Sequence, residues 1–106
     1  MYRMIYLFFL AVLLIPLSSA SAALPDGWLS QDIGTPGIAG SADQTAGIWT
    51  VRGSGHDIWD NADDFRYCYT PTSGDCEISA RVFNITGGSH EWTKAGVMIR
   101  ETLADT

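Results

Sequence analysis

The sequence predicts an all-β fold, an antiparallel sandwich of jelly-roll type that follows an export signal. Three observations carry this. Short runs that alternate apolar and polar residues recur along the chain, the connectors between them are built from Gly, Pro, Ser, Asn and Asp, and no stretch holds a helical period. Such spacing suits a sandwich or jelly roll better than a helical or α/β domain.

The chain opens Met1-Tyr2-Arg3, followed by the apolar run "MIYLFFLAVLLIPL" (4–17) and the small-residue run "SSASAA". A basic start, an apolar centre and a small-residue end make a secretory signal peptide. Ala20 and Ala22 fit the A-x-A pattern, which puts cleavage after Ala22 and makes 1–22 a signal-peptide helix. A spanning helix needs about 20 apolar residues, and this run is shorter and contains Pro16. Export then leaves 106 minus 22, or 84, residues for one module over 23–106. That module is secreted and has no membrane attachment once the signal is removed.

Within the module, "GIWTVRG" (47–53) alternates, with Trp49 and Val51 on one face. Alternation also aligns Phe65, Tyr67 and Tyr69 in "DFRYCYT" (64–70), and Ile78, Ala80 and Val82 in "CEISARVFNI" (76–85). In "WTKAGVMIR" (92–100) it aligns Ala95, Val97 and Ile99. All four runs are expected as strands. The connectors are "GTPGIAGSAD", "GSGHD", "PTSGD" and "TGGSH". The two middle runs are expected to form a hairpin through "PTSGD". Cys68 and Cys76 would then lie opposite each other, and an oxidising compartment makes a disulfide between them the default. Closing so short a loop stabilises a fold by roughly 2–3 kcal/mol. In that register the aromatic row shares a face with Glu77, Ser79 and Arg81. Either the row is a wet outer face, a platform for ligand, or a bulge shifts the register and makes it core. Buried aromatics are the commoner outcome.

Charge excludes some partners. Without Arg3 the module carries five basic and twelve acidic residues, a net charge of −7. No basic stripe is present to neutralise phosphates, so nucleic acid is not a partner, and anionic membranes are disfavoured.

The stretch "WTKAGVMIRETL" (92–103) is the most specific in the chain. Together with "LPDGW…QDIGTPGIAGSA", "GSGHDIW" and "YTPTSGDCEISARV", it resembles the concanavalin A-like, laminin-G-like jelly-roll modules of secreted bacterial multidomain proteins. These in turn are similar to regulator-of-enolase-like domains. The resemblance runs from Leu24 to Leu103. It implies a jelly roll of which this chain carries the N-terminal half, with further domains of a longer parent protein as neighbours. It also implies recognition of extracellular glycan or cell-surface polysaccharide. Cys68 and Cys76 stand where the family has an aliphatic residue and a glycine, so the disulfide is a local addition.

Chemistry is sparse. "HDIWDNADDFRYC" (56–68) holds Asp57, Asp60, Asp63 and Asp64 beside His56. A calcium loop of EF-hand type needs ligands at alternate positions and a central glycine, and this stretch has neither. Asp57, Asp60 and Asp63 are therefore weak metal candidates. Turn chemistry is the better reading, with Asp57 or Asp63 bonding nearby backbone N–H groups. No cofactor is expected, and calcium is not supported by the spacing. "HEWTK" (90–94) lacks the second histidine of a zincin. A glycosidase needs two carboxylates about 5 to 10 Å apart, and nothing pairs Glu77, Glu91 and Glu101. No catalytic residue is assigned. Trp49 is expected in the core, and Trp59 and Trp92 in the core or packed under loops. Trp92 and His90 flank the "TGGSH" loop, where an aromatic ring can stack on a sugar. The candidate ligand-binding residues are thus Tyr67, Tyr69, His90 and Trp92. The expected function is non-catalytic glycan recognition. The alternatives are the N-terminal fragment of a glycan-degrading enzyme and a structural adhesion or spacer module.

Overall fold

The computed structural model describes residues 23–88 and 90–106, so the signal-peptide reading of 1–22 lies outside the described residues. The described residues are all-β, with no helix among them and hence none long and apolar enough to cross a membrane. Six strands follow in order: β1 (Leu29–Ile33), β2 (Ser41–Thr45), β3 (Ile48–Arg52), β4 (Ile58–Trp59), β5 (Ala62–Asp63) and β6 (Phe65–Tyr69). They form three antiparallel ribbons, β1–β6, β2–β3 and β4–β5.

Each ribbon has a local cause. β2 and β3 are joined by Ala46 and Gly47, both at positive φ (51° and 79°). That pair makes a type I′ turn, whose twist matches the strands it joins. In β4–β5, Ile58 faces Asp63 and Trp59 faces Ala62, which leaves Asp60-Asn61 as the turn. Only Asp60 takes positive φ there (61°), the pattern of a type II′ turn.

The β1–β6 ribbon holds the core. Leu29, Gln31 and Ile33 lie opposite Tyr69, Tyr67 and Phe65. Ile33, 1% exposed, is the buried hydrophobic residue of the described chain. The aromatic row is half-buried. Phe65 meets Tyr67 edge-on at 5.8 Å between centroids, and Tyr67 stacks on Tyr69 at 5.2 Å. The row lies toward the core side of the ribbon. Tyr67 Oη donates to Met98 O at 3.2 Å, and the Arg100 guanidinium lies 5.4 Å from the Phe65 centroid. On the other face Asp32 sits opposite Arg66 and pairs with it at 3.3 Å. Arg66 Nη2 also donates to Ser30 Oγ. Here the β2–β3 ribbon comes close: Gly40 N donates to both Asp32 carboxylate oxygens at 3.1 Å. A Cβ at Gly40 would lie 2.6 Å from Arg66 Cδ and 2.6 Å from Arg52 O, so only glycine fits this approach.

Four expectations are corrected. Residues 76–85 and 92–100 form no strand, and nearly all of their side chains are exposed. The hairpin through "PTSGD" is therefore absent: β6 pairs on one edge with β1, and 76–85 does not add to the other. The disulfide goes with it: Cys68 lies opposite Ser30 on β6, Cys76 lies in the exposed stretch, and both are free thiols. Burial pushes the Cys68 thiol up from its ordinary value, and neighbouring Arg66 partly offsets this. Last, the tryptophans are not core. Trp49 packs on Trp28 at 4.5 Å yet stays 38% exposed, because no second sheet covers the β2–β3 ribbon. Trp59 is 76% exposed and Trp92 is 66% exposed.

Candidate functional site

The histidine and aspartates of "HDIWDNADD" gather around the small β4–β5 ribbon, and the local hydrogen bonds explain how. Asp57 Oδ1 accepts from the backbone N–H of Ile58 at 2.7 Å, while its carbonyl accepts from Asp64 N at 2.8 Å. Asp64 Oδ2 accepts from His56 N at 3.2 Å. A carboxylate that bonds backbone in this way fixes the entry and exit of the ribbon. Gly55, at φ 151°, lets the chain pass so close that a Cβ there would lie 1.8 Å from Asp64 O.

Two cations come in from the C-terminal segment. Lys94 Nζ reaches Asp57 Oδ1 at 2.5 Å, and Arg100 Nη2 reaches Asp63 Oδ2 at 3.1 Å. The Lys94 hydrogen bond holds the Asp57 carboxyl below its ordinary range, helped by the Ile58 N–H. Asp63 N also donates to Asp105 O at 2.6 Å, a further tie between ribbon and C-terminal segment.

Two open depressions result. One, of about 440 Å³, is lined by Trp59, His56 and the acidic side chains Asp57, Asp60, Asp63, Asp64 and Asp105. The other, of about 410 Å³, is lined by Gly55, His56, Asp57, His90 and Trp92. His56 and Asp57 line both, so they form the shared wall. His90 shapes its own loop. Its Nδ1 accepts from Trp92 N at 3.2 Å, and its carbonyl accepts from Thr93 N at 3.1 Å and Thr93 Oγ1 at 2.7 Å. A neutral imidazole that accepts at Nδ1 carries its proton on Nε2. Trp92 is thus held by backbone while its indole stays exposed.

The structure brings together His90 and Trp92, and adds His56, Asp57 and Trp59 to them. It does not bring in Tyr67 and Tyr69, neither of which lines either of these two depressions. Their hydroxyls are engaged elsewhere, Tyr67 with Met98 O and Tyr69 with Gln31 Oε1 at 3.1 Å. Asp57, Asp60 and Asp63 share one depression, but among the described residues no group of three or more His, Cys, Asp or Glu side chains is arranged to hold a metal ion. Asp57 and Asp63 are each already engaged by a cation.

Sequence reasoning missed Trp59 as a surface residue. The signal was present in "WDNA", since a residue flanking a two-residue turn in so short a ribbon has little to pack against. It also missed Lys94, whose partner is 37 residues away. Compared with protein-family models, curated proteins and solved structures, the chain finds no match in any of the three.

Proposed function

We propose that this chain is an exported, non-catalytic recognition module that binds extracellular glycan or cell-surface polysaccharide. The carrying observation is the pair of exposed tryptophans, Trp59 and Trp92, one in each of two depressions that share His56 and Asp57. Flat apolar faces beside a few convergent polar groups suit a sugar ring, which offers an apolar face and a rim of hydroxyls. The His56 and His90 rings and the Asp57 carboxylate supply donors and acceptors for that rim. The Lys94 contact keeps Asp57 ionised and positioned, a role in orientation rather than in proton transfer. The resemblance to concanavalin A-like modules and the signal-peptide pattern support a jelly-roll relative working outside the cell, joined to further domains of a longer parent.

Titration of the purified chain with a panel of soluble polysaccharides, read by tryptophan fluorescence and calorimetry, tests this. Saturable binding is expected for at least one acidic-poor glycan. Trp92→Ala should weaken it about tenfold or more, as loss of a central aromatic anchor does. No saturable binding across the panel, or binding unchanged in both Trp59→Ala and Trp92→Ala, would defeat the proposal.

A further inference from the structure

The stretch 76–85 has the composition of a strand but no strand partner. Ile78, Val82, Phe83 and Ile85 are all exposed, Phe83 by 85%. Arg81 lies 5.8 Å from the centroid of the Phe83 ring, two residues on, as two side chains on one face of an extended backbone do, which leaves Ile78 and Val82 on the opposite face. None of the ion pairs among the described residues uses Glu77 or Arg81. An extended segment with free edges and an apolar face is a template for strand addition.

We infer that 76–82 pairs antiparallel with the same segment of a second copy of this chain, about a twofold axis at Ser79. The charges select this occupant and this register. With Ser79 opposite Ser79 of the second copy, Glu77 stands directly opposite Arg81, and the twofold repeats the pair, giving two opposite-charge cross-strand pairs from a single segment. Asp75 then lies diagonal to the same arginine. The other face aligns Cys76 with Val82 and Ile78 with Ala80, an apolar face made entirely of small and aliphatic side chains. Sliding the axis to Ile78 would set Arg81 against Asp75, but it would leave Glu77 opposite Ser79 and bring Val82 against Gly74, whose φ of 77° ends an extended strand. An axis at Ala80 would leave Glu77 opposite Phe83 and Arg81 opposite Ser79. The Ser79 axis therefore satisfies both charges and keeps the pairing clear of the turn. This surface is separate from the Trp59 and Trp92 depressions, so its test stands apart from glycan binding.

Sedimentation equilibrium of the purified chain, with Cys68 and Cys76 replaced by serine, should give a discrete dimer. Glu77→Arg and Arg81→Glu each place like charges opposite one another twice and should weaken the dimer about tenfold. The double variant Glu77→Arg/Arg81→Glu restores both pairs and should recover the dimer. Ser79→Cys in the same background should form an intermolecular disulfide on mild oxidation, and Ile78→Cys should do so far more slowly. A monomer at all concentrations, polydisperse aggregation, single variants no weaker than the parent, a double variant no better than the singles, or faster cross-linking through Ile78→Cys would each overturn the inference.

Discussion

Asp57 joins the ribbon, the two depressions and the C-terminal segment through one carboxylate. Its depressed proton affinity has a defined consequence for pH. Folded Asp57 titrates below the ordinary value of 3.8, so the contribution of the Lys94 contact is fully present above that value and is lost as pH falls below it toward the lowered folded value. The charge of Lys94 does not change in this window. NMR titration of the Asp57 carboxyl carbon should show a midpoint below 3.8 in the parent chain. In Lys94→Met the midpoint should rise, because the largest cause of the depression is removed. An unchanged midpoint in that variant would mean that the Ile58 N–H, not Lys94, holds the carboxylate.

Among the elements, the β2–β3 hairpin is the most locally determined and also carries a local misfit. Its type I′ turn needs positive φ at both central positions, and Ala46 pays for that conformation where Gly47 does not. Ala46→Asn gives the turn its preferred Asn-Gly pair and should stabilise the chain by about 0.5–1 kcal/mol. Hydrogen exchange of the β2–β3 amides would show this as higher local protection than in the parent chain. Other elements depend on distant partners. "DFRYCYT" reads as a strand from its alternation, and β6 forms there. Its partner could not be read, since "LSQDI" carries an aspartate and a glutamine at strand positions. Only the ion pair of Asp32 with Arg66 and the close approach of Gly40 make that segment a good strand. The aromatic row was open between platform and core for the same reason, and pairing with β1 turned it toward Ile33.

For the molecule as a whole, apolar exposure dominates. Ile33 is the buried hydrophobic residue of the described chain, while Leu29, Ile38, Ile48, Val51, Ile78, Val82, Phe83, Val97 and Ile99 are exposed. A chain of this size buries little enough surface even when fully packed. Dilute chain should therefore bind anilinonaphthalene sulfonate and unfold over a broad thermal range, with weak near-ultraviolet dichroism. A sharp calorimetric transition with equal calorimetric and van't Hoff enthalpies would contradict this.

Sequence alone determined the local features of this protein. Alternation and turn chemistry made it all-β, located β3 and β6, and marked a turn within "DNADD", where Asp60-Asn61 turn and Ala62-Asp63 form β5, because side-chain period and turn preferences act over a few residues. Tertiary structure alone decided which strands pair. β6 pairs with β1, while 76–85 and 92–100 form no strand, so the expected hairpin and disulfide are absent. Tertiary structure also set Trp59, His56, Asp57, His90 and Trp92 around one wall, with Lys94 anchoring it from across the chain. Pairing and site assembly depend on contacts between residues tens of positions apart, whose gain must exceed the entropy of closing the intervening loop, and no local pattern encodes that balance.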